Sequence, residues 1–255
     1  MKIAIVTGAS SGLGGRFVRL LDGEGLDEIW VIARRAQRLE ELRAQVSTPL
    51  RVLPMDLTGK PAVHELAGLL DETGCDVRVL INAAGFGKIG CWDDISLEDC
   101  ESMIDLNCRA ATAVTRVALP HMSEGARIMQ ICSTSAFQPF PYLSIYAASK
   151  AYLYRYSRAL RRELKPRRIK VTAVCPYWIK DTEFIAVAKR TEDSSYIRSF
   201  PLASKQDRVA RRAMEDSKLG LAVSTPGVVC TLHRAIAKIV PAGLMMEMWE
   251  LLRRL

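Results

Sequence analysis

The hydrophobic residues of this chain fall into short, nearly continuous runs, separated by longer stretches in which they recur every three or four positions. A run that is apolar at successive positions is typical of a parallel strand buried on both faces. Six runs fit this description: KIAIV (2–6), EIWVIA (28–33), LRVLPM (50–55), VRVLIN (77–82), RIMQIC (127–132) and KVTAVC (170–175). A weaker seventh run, LAVST (221–225), predicts one more strand.

The stretches between these runs have helical periodicity. Leu39, Leu42 and Val46 share one stripe, residues 97–122 are amphipathic, and residues 144–164 contain neither glycine nor proline. Strands that alternate with helices predict right-handed βαβ units. We therefore expect an α/β protein with a single-domain three-layer Rossmann fold, in which helices cover both faces of a doubly wound parallel sheet of six to seven strands.

Composition adds little to this picture but supports a single unit. The chain has 255 residues, 49% hydrophobic and 25% charged, which is ordinary for a globular protein. No Pro/Gly/Ser-rich linker or change of composition divides it, so we expect one domain over residues 1–255. In a doubly wound sheet the ligand binds beyond the carboxyl ends of the strands, near the switch point of strand order.

The net charge of +8 raises the question of an anionic partner. Its densest basic run, RRELKPRRIK (161–170), is typical of a helix end and turn in contact with water. Aromatic residues do not alternate with the basic ones there, as a stacking platform for bases requires. We therefore predict no nucleic-acid partner.

The cysteines and the first residues bear on the cellular compartment. Seven scattered cysteines form no CxxC motif and no Cys/His cluster, which predicts reduced thiols, no metal site and a cytoplasmic protein. The opening MKIAIVTGAS runs directly into a glycine turn, so we interpret it as a strand rather than a signal peptide. No apolar run reaches the roughly 20 residues of a membrane span.

A glycine-rich turn follows the first predicted strand directly. The segment TGASSGLGG carries Gly8, Gly12 and Gly14 in the spacing G-x-x-x-G-x-G. Glycines permit a tight turn and a close backbone approach, and the following helix directs its N-terminal N–H groups at a phosphate. Between a first strand and a first helix, this turn predicts a dinucleotide site, to which Ser10 adds a hydroxyl.

The end of the second strand indicates which dinucleotide is bound. An NAD site usually has a carboxylate here for the ribose 2′-hydroxyl. This chain has Arg34 and Arg35 instead, and guanidinium groups match a 2′-phosphate dianion. We expect NADP(H), with Arg34 as the first contact and Arg35 assisting. The alternative is a pair of solvated arginines that open a helix, although cations oppose the dipole there.

Several further motifs stand in one order along residues 1–185. They are TGASSGLG (7–14), DL (56–57), NAAG (82–85), DLN (105–107), ICSTSA (131–136), YAASK (146–150) and VCPYWIKDT (174–182). Together they resemble the short-chain dehydrogenase/reductase superfamily. The resemblance implies an NADP(H)-dependent oxidoreductase that transfers hydride between the nicotinamide and a carbonyl or secondary alcohol.

The resemblance also implies roles for individual residues. Tyr146 is expected to be the general acid/base with Lys150 as its partner, while Ser133 holds the substrate oxygen. Asn107 is expected to hold a water that relays protons to the lysine; bonding to backbone at a helix kink is the alternative. The cofactor is expected to contact Gly8, Ser10, Ser11, Gly12, Leu13, Gly14, Arg34, Arg35, Asp56, Leu57, Asn82, Ala83, Ala84, Gly85, Tyr146, Lys150, Pro176, Tyr177 and Thr182.

Within that set, Asp56 is expected at the adenine amino group and Thr182 at the nicotinamide carboxamide. Reducing a ketone requires a proton for the developing alkoxide, and a free tyrosine with a pKa near 10 ionises little at neutral pH. A nearby ammonium favours the phenolate, and a serine hydroxyl donates to the oxyanion without adding charge. Ser135 competes with Ser133 for this role, but its spacing of eleven residues to Tyr146 fits less well.

The sequence departs from many relatives after the sixth strand. Where they have Pro-Gly, this chain has Pro176, Tyr177 and Trp178, and a Pro-Tyr pair is similar to hydroxysteroid dehydrogenases and long-chain 3-ketoacyl reductases. Aromatic side chains there suit a bulky apolar ketone, such as a steroid or bile-acid skeleton. A 3-oxoacyl thioester is the alternative substrate, and an NADPH-sensing or scaffold protein without turnover is the alternative class.

The last third of the chain is expected to shape the substrate end. Residues 183–216, of mixed polarity, predict a substrate lid. The tail at 240–255 is amphipathic, with Leu244, Met245, Met248, Trp249, Leu252 and Leu255 on one stripe. This stripe packs on the core or on a subunit, or it closes the substrate entrance or touches a membrane beside Arg253 and Arg254. Because a Gly-Gly terminus typical of tetramers is missing, we expect a homodimer through the helices that hold Asn107 and Tyr146.

Overall fold

The computed structural model describes residues 1–253, so Arg254 and Leu255 of the predicted tail lie outside the described residues. Seven parallel strands form one sheet in the order β3-β2-β1-β4-β5-β6-β7. They are β1 Lys2–Thr7, β2 Glu28–Ala33, β3 Leu50–Pro54, β4 Asp76–Asn82, β5 Arg127–Ile131, β6 Lys170–Val174 and β7 Val223–Ser224. All six strong predictions and the weaker seventh are confirmed as strands, the seventh shorter than its apolar run.

Ten α-helices occur in the described part of the chain. They are α1 Gly12–Leu21, α2 Ala36–Arg43, α3 Lys60–Thr73, α4 Leu97–Ile104, α5 Ala111–Ala118, α6 Ser144–Glu163, α7 Phe184–Ala188, α8 Gln206–Leu219, α9 Val228–Ile239 and α10 Ala242–Leu252. Two of the stretches predicted to be helical form α2 and α6. None of the described helices is long and apolar enough to cross a membrane.

Alternation along the central strand β1 creates two cores, one on each face of the sheet. Ile3 and Ile5 pack into a cluster that includes α3, α5 and α6 residues, whereas Ala4 and Val6 pack into a second cluster with α1, α2 and α8 residues. Successive side chains of a strand point to opposite faces, so a strand covered on both sides must be apolar throughout. The three-layer Rossmann fold predicted from the sequence is therefore confirmed.

The strand order also fixes where a ligand can bind. β1 pairs with β2 on one side and with β4 on the other, so the chain winds outward in both directions from this point. The connections after β1 and β4 diverge to opposite faces and leave a crevice at the carboxyl ends of the strands. The glycine turn after β1 and the NAAG segment after β4 lie on its two sides.

The predicted amphipathic stretch at 97–122 is helical but not uniform. A π-helical segment, Asp105–Ala110, interrupts it between α4 and α5, and a 3₁₀ turn, Leu119–His121, ends it. A π segment adds a residue to the helical repeat and often marks a functional position. This one carries Asn107, whose side chain is fully buried.

The segments after β6 divide into two kinds. α8 packs on the sheet through Ala210, Ala213 and Met214, so residues 206–216 of the predicted lid belong to the layer that covers the sheet. The stretch from 183 to 205 contains the short helix α7 and lies over the carboxyl ends of the strands. α9 and α10 follow β7 and pack near the loop 137–141.

Candidate active site

A cleft of about 800 Å³ lies beyond the carboxyl ends of the strands. It runs from the arginines after β2 to Tyr146 on α6, and most of the predicted site residues line it. These are Gly8, Ser10, Ser11, Gly12, Leu13, Arg34, Arg35, Asp56, Leu57, Ala83, Ala84, Gly85, Ser133, Tyr146, Lys150, Pro176, Tyr177 and Thr182. Gly14, Asn82 and Asn107 are not among the lining residues, and each supports the wall from behind.

The glycine turn has the backbone geometry that its sequence predicts. Gly8 and Gly12 have φ of +68° and +52°, in the left-handed region that side chains disfavour. A Cβ on Gly8 would lie 2.7 Å from the Ala84 amide nitrogen, and one on Gly14 would overlap the Gly8 carbonyl. Gly14 therefore allows α1 to pack against the turn, which explains its position behind the cleft.

The two sides of the crevice are joined by a residue that sequence reasoning missed. The Thr7 hydroxyl oxygen accepts hydrogen bonds from the backbone N–H groups of Ala83 and Ala84, each at 3.1 Å. On the far side of the segment, the Asn82 amide donates to Thr115 Oγ1 at 2.9 Å and holds α5 to β4. A threonine directly before the first glycine was the available signal for Thr7.

The arginines after β2 are arranged differently from one another. The Arg34 side chain is 73% exposed, and its guanidinium lies 3.9 Å from the Asp56 carboxylate. Arg35 donates to Ser10 Oγ at 3.3 Å and also to Glu183 at 2.9 Å. Arg38 pairs with the other oxygen of Glu183. The hydrogen bonds from Arg38 and Arg35 hold the pKa of the Glu183 carboxyl below its usual value.

Asp56 is fixed at the end of β3 by its own turn. Its Oδ1 accepts from the Thr58 amide at 3.0 Å and from the Thr58 hydroxyl at 2.7 Å. Burial acts to raise the pKa of Asp56, but these hydrogen bonds and the charge of Arg34 outweigh it, and the net shift is downward. The group is therefore an ionised hydrogen-bond acceptor at neutral pH, which suits an adenine amino group.

The fifth strand and the helix α6 bring a hydroxyl, a phenol and an ammonium together. Tyr146 is 7% exposed, and the Ser133 side chain is near enough to the phenol to counteract part of the rise that burial causes in its pKa. The Lys150 ammonium lies 5.7 Å from the centre of the Tyr146 ring and donates to the Ile131 carbonyl at 2.9 Å. Ser133, rather than the competing Ser135, is the serine that acts on the phenol.

Burial dominates the proton affinities of this group. Desolvation raises the pKa of Tyr146, although the hydrogen bond with Ser133 acts in the opposite direction. Desolvation likewise lowers the pKa of Lys150. Because burial disfavours whichever form is charged, the phenol here is held as an acid. A positive charge brought into the cleft favours the phenolate.

Asn107 bonds backbone and helix rather than facing the cleft. Its Nδ2 donates to the Phe86 carbonyl at 2.9 Å and to Ser149 Oγ at 3.0 Å, and its Oδ1 accepts from the Phe86 amide at 3.1 Å. These bonds tie the loop after β4 to α6. They match the alternative of a backbone contact at a helix irregularity, and the water relay stays a prediction.

Gly87 is a second residue that sequence reasoning missed. A Cβ at this position would lie 2.6 Å from Cδ2 of the Tyr146 ring and 3.1 Å from the Phe184 ring. The absence of a side chain at Gly87 thus lets the loop after β4 press against the face of Tyr146. Its signal was the second glycine of NAAGFG, just beyond the NAAG motif.

The segment after β6 closes the cleft at the phenol. Thr182 packs its methyl group against Gly12, at 3.5 Å from the position of an added Cβ. Pro176 and Tyr177 line the cleft, and the Pro176 carbonyl accepts from the Thr134 amide at 2.9 Å. Aromatic rings also cluster here. The ring centre of Phe184 lies 5.4 Å from that of Tyr146. In two further pairs, the ring centres are 4.6 Å apart for Trp178 and Phe200 and 4.9 Å apart for Phe140 and Trp249.

Charged side chains also line the cleft. Lys88, a buried residue, forms an ion pair with Asp99 at 2.9 Å and donates to the Arg190 carbonyl at 2.7 Å. Arg190 and Glu98 line the cleft as well. The wall of the cleft therefore carries both aromatic rings and charges of both signs.

The chain belongs to the short-chain dehydrogenase family, whose model matches residues 2–193. It is similar to an NADP-dependent 3-hydroxy acid dehydrogenase of Escherichia coli K12, with 31% identity over 75% of this chain and 78% of the relative. An uncharacterized oxidoreductase of Staphylococcus epidermidis is 32% identical over 69% of this chain and 76% of its own length.

Solved structures give the same result for fold and cofactor. A short-chain dehydrogenase of Sphingobium yanoikuyae in complex with NADPH has a TM-score of 0.77 and 25% identity, covering 94% of this chain and 97% of that one. A variant of actinorhodin polyketide ketoreductase with NADPH has a TM-score of 0.74 and 27% identity, covering 89% and 95%.

The donors in the cleft fit NADP(H). The left-handed glycines open a phosphate turn at the start of α1, the side chains of Arg34 and Arg35 line the cleft after β2 and would hold a 2′-phosphate, and the same cleft reaches Tyr146. The protein is thus an NADP(H)-dependent oxidoreductase of the short-chain family, as its sequence predicted.

Proposed function

We propose that the enzyme interconverts a bulky apolar ketone and its secondary alcohol. The observation that carries this proposal is the aromatic cluster around Tyr146, in which Phe184 packs on the phenol ring and Trp178, paired with Phe200, packs on Phe184. Rings of this kind bind flat or extended apolar molecules through area and shape. The similarity to a protein named a polyketide ketoreductase agrees with a large ketone.

The catalytic roles follow from the geometry of the described side chains. The cofactor supplies hydride to the carbonyl carbon, or accepts it from the alcohol. Tyr146 gives its phenolic proton to the carbonyl oxygen as negative charge develops there. Burial keeps that proton in place until the substrate arrives, because it raises the pKa of the phenol.

Ser133 and Lys150 act on either side of the phenol. The Ser133 hydroxyl donates to the same substrate oxygen and stabilises the oxyanion without changing the charge of the site. Lys150, anchored to the Ile131 carbonyl, places an ammonium near the ring and favours the phenolate after proton transfer. Asn107 acts as a positioning residue, because it ties the loop at Phe86 to the helix that carries Tyr146 and Lys150.

A second candidate substrate is a 3-hydroxy or 3-oxo acid. Arg190 and Lys88 line the cleft and are the cations that would meet the carboxylate of such a substrate. The relative from Escherichia coli is named for this substrate class. Against it stands the ion pair of Lys88 with Asp99, which already compensates one of the two cations. A 3-oxoacyl thioester, apolar near the carbonyl and anionic at a distance, lies between the two candidates.

The deciding experiment is NADPH oxidation against a panel of steroid ketones, 3-oxoacyl thioesters and 3-oxo acids. We expect the highest kcat/KM with the bulky apolar ketones and a loss of about 10²–10⁴-fold in Tyr146→Phe, with NADPH binding retained. Preference for a 3-oxo acid that is lost in Arg190→Gln would select the second candidate. Turnover of no carbonyl compound, with NADPH still bound, would indicate an NADPH-sensing or scaffold protein instead.

Three features of organisation are part of the same proposal. Residues 183–205 form the lid, since they lie over the cleft and carry Phe184, while the whole chain acts as one domain. Two copies associate through α5 and α6, where Thr112 and Tyr152 form a surface-exposed contact. All seven cysteines are free thiols, which supports a reducing cytoplasmic compartment.

A further inference from the structure

The two C-terminal helices expose an unusually apolar surface. Here the outer face means the exposed side chains Val228, Leu232, Ile236 and Ile239 of α9 and Leu244, Met248, Leu251 and Leu252 of α10. Three of them are 70% exposed or more: Ile239 at 84%, Val228 at 71% and Leu251 at 70%. Scattered apolar residues on a surface are normal, but a contiguous set of this size usually marks an interaction site.

Spacing shows that each helix presents a stripe. On α9 the exposed apolar residues stand at 228, 232, 236 and 239, and on α10 at 244, 248, 251 and 252. Intervals of three and four place them on one side of each helix. α9 is therefore amphipathic, whereas α10 is apolar on both its packed and its exposed side and carries one exposed carboxylate, Glu247.

The opposite sides of both helices pack on the same loop, so the two exposed stripes point away from it. His233 of α9 and Trp249 of α10 each meet the Phe140 ring edge-on, at 5.8 and 4.9 Å. The Gln138 side chain is within hydrogen-bonding distance of His233 at 2.8 Å and of the Met245 carbonyl at 3.5 Å. The loop 137–141 thus holds both helices, and the exposed stripes of both together make up the outer face.

A basic groove continues the outer face. A concavity of about 710 Å³ between α8 and the start of α9 has Val228 and Leu232 on one wall and Arg208, Arg211 and Arg212 on the other. Asp207 and Glu215 also line it. Asp207 is shared between Arg211 and Arg16, and Arg212 pairs with the buried Asp216. With Arg208 and Glu215 included, four arginines stand against three carboxylates, so the wall carries a net charge of +1.

We propose that the outer face and its basic groove dock the enzyme on an anionic phospholipid bilayer. Amphipathic helices lie in the lipid interface with apolar residues inserted, and flanking cations are attracted to anionic head groups. Lys238, beside Ile239, adds an exposed cation at the other end of α9. The net charge of +8 strengthens the attraction.

Charge favours a bilayer over a second copy of the chain. In a twofold interface the same patch occurs on both subunits, so the arginines of the groove would face one another. A bilayer offers instead an apolar interior bounded by phosphate groups. Arg253, suggested by the sequence as a membrane contact, does not take part: its guanidinium stacks 4.1 Å from the Tyr142 ring and its side chain is 10% exposed.

Docking in this orientation places the cleft close to the lipid. Trp249, on the inner side of α10, lines the cleft, whereas Met248 and Leu252 of the same helix belong to the outer face. An apolar substrate dissolved in the bilayer then reaches the cleft without crossing water. The docking itself does not depend on which ketone is reduced, so it is tested without turnover.

The test is flotation of the full chain with phospholipid vesicles. With vesicles of phosphatidylcholine containing about one third phosphatidylglycerol, we expect most of the protein to float at low salt and less to float as salt rises. With vesicles of pure phosphatidylcholine, a much smaller fraction of the protein should float. Wild-type protein that stays at the bottom of the gradient with both vesicle types would overturn the proposal.

Matched variants locate the contact. Leu232→Glu combined with Ile239→Glu should reduce the floated fraction about 10-fold, because charges enter the apolar stripe. Leu97→Glu, a change at a similarly exposed leucine on α4, should float like the wild type. Arg208→Gln combined with Arg211→Gln should weaken flotation on anionic vesicles and flatten its salt dependence.

Two further measurements separate lipid docking from unfolding and from dimerisation. Thermal melts with and without NADPH should show the same stabilisation by cofactor in every variant, so that a loss of flotation is not a loss of folding. Sedimentation analysis shows whether a second copy of the chain, rather than a bilayer, covers the outer face. A dimer in the wild type that Leu232→Glu and Ile239→Glu dissociate would assign the outer face to self-association and overturn docking on lipid.

Discussion

The cofactor end and the substrate end of the cleft are built in different ways. At the cofactor end, three important residues follow a strand at once or within two residues: Gly8 after β1, Arg34 after β2 and Asp56 after β3. The parallel sheet alone brings these positions to one edge. At the substrate end, Phe140, Phe184 and Trp249 come from a loop, a short helix and the last helix of the chain. Only packing of distant segments assembles them.

The two ends also differ in their electrostatics. Cofactor-end charges are exposed and compensate one another, as in the pairing of Arg35 and Arg38 with Glu183. At the catalytic centre, Tyr146 and Lys150 are buried, and desolvation moves the pKa of the phenol up and that of the ammonium down. Exposed charges set which cofactor binds, whereas buried groups are sensitive to any change in solvation.

The largest effect is expected where the two ends meet, at Lys150. Lys150→Ala should reduce kcat for alcohol oxidation by about 10²–10⁴-fold and move the rising, low-pH limb of the pH profile to higher pH, because oxidation requires the phenolate. Removing the ammonium removes a charge that favours the phenolate, so the pKa of Tyr146 rises further. The measurement is kcat against pH at saturating NADP. An unchanged limb would show that Lys150 does not tune the phenol.

A substrate-end change should leave the cofactor end intact. Gly87→Ala places a Cβ against the Tyr146 ring and should lower kcat by about 10²-fold, because sub-ångström placement governs proton transfer. Binding of NADPH should stay within a few-fold of the wild type. Steady-state kinetics with fluorescence titration of NADPH checks both values.

Gly68 provides the control for Gly87. It lies inside α3 with nothing within 4 Å of an added Cβ, so Gly68→Ala should keep kcat unchanged. The same change should raise the free energy of unfolding by about 0.5–1 kcal/mol, since alanine favours a helix over glycine. Equal losses of kcat in both variants would mean that packing at Tyr146 is not the cause.

A change at the cofactor end should instead alter the binding of the cofactor. Arg34→Asp should weaken NADPH binding on the order of 10- to 100-fold, the equivalent of one or two charge-assisted hydrogen bonds, and improve NADH binding. Arg35→Asp should act in the same direction, since Arg35 also holds Ser10. The measurement is the dissociation constant of NADPH and of NADH for each variant and for the wild type. Equal affinity for NADPH and NADH in the wild type would contradict the role of both arginines.

The smallest effect is expected at the carboxylate that links the two ends. Glu183 begins the lid and bonds Arg38 and also Arg35, one of the two arginines expected at a 2′-phosphate. Glu183→Gln should therefore tighten NADPH binding by a few-fold and leave NADH binding unchanged, because a neutral amide competes less well for guanidinium. Weaker binding of both cofactors would show instead that the ion pair only holds the lid in place.

Local pattern was enough to predict the strands, and with them the position of the cofactor end. Buried parallel strands are apolar throughout, so each was visible as a run, and the chemistry after each run was visible beside it. The helical spacing of Tyr146 and Lys150 was equally local. The π segment at Asp105–Ala110 was not, because one added residue in a helix leaves no periodic mark.

Residues that act by proximity were missed for the same reason. Gly87 matters because of what lies against it, and Thr7 because two amides of another strand's loop approach its hydroxyl. Glu183 is an ordinary charged residue in the sequence until the fold brings it to the arginines. Asn107 was found by resemblance, but its bonds to Phe86 and Ser149 required the structure.

The sequence by itself determined the alternation of strands and helices, the glycine turn, the preference for NADP(H) and the presence of a phenol beside an ammonium. Each depends on residues close together along the chain. Tertiary structure alone decided which aromatic rings lie near the phenol, which cations Glu183 pairs with and which sides of α9 and α10 remain exposed. These properties depend on burial and on distances between remote segments, and no local pattern encodes either.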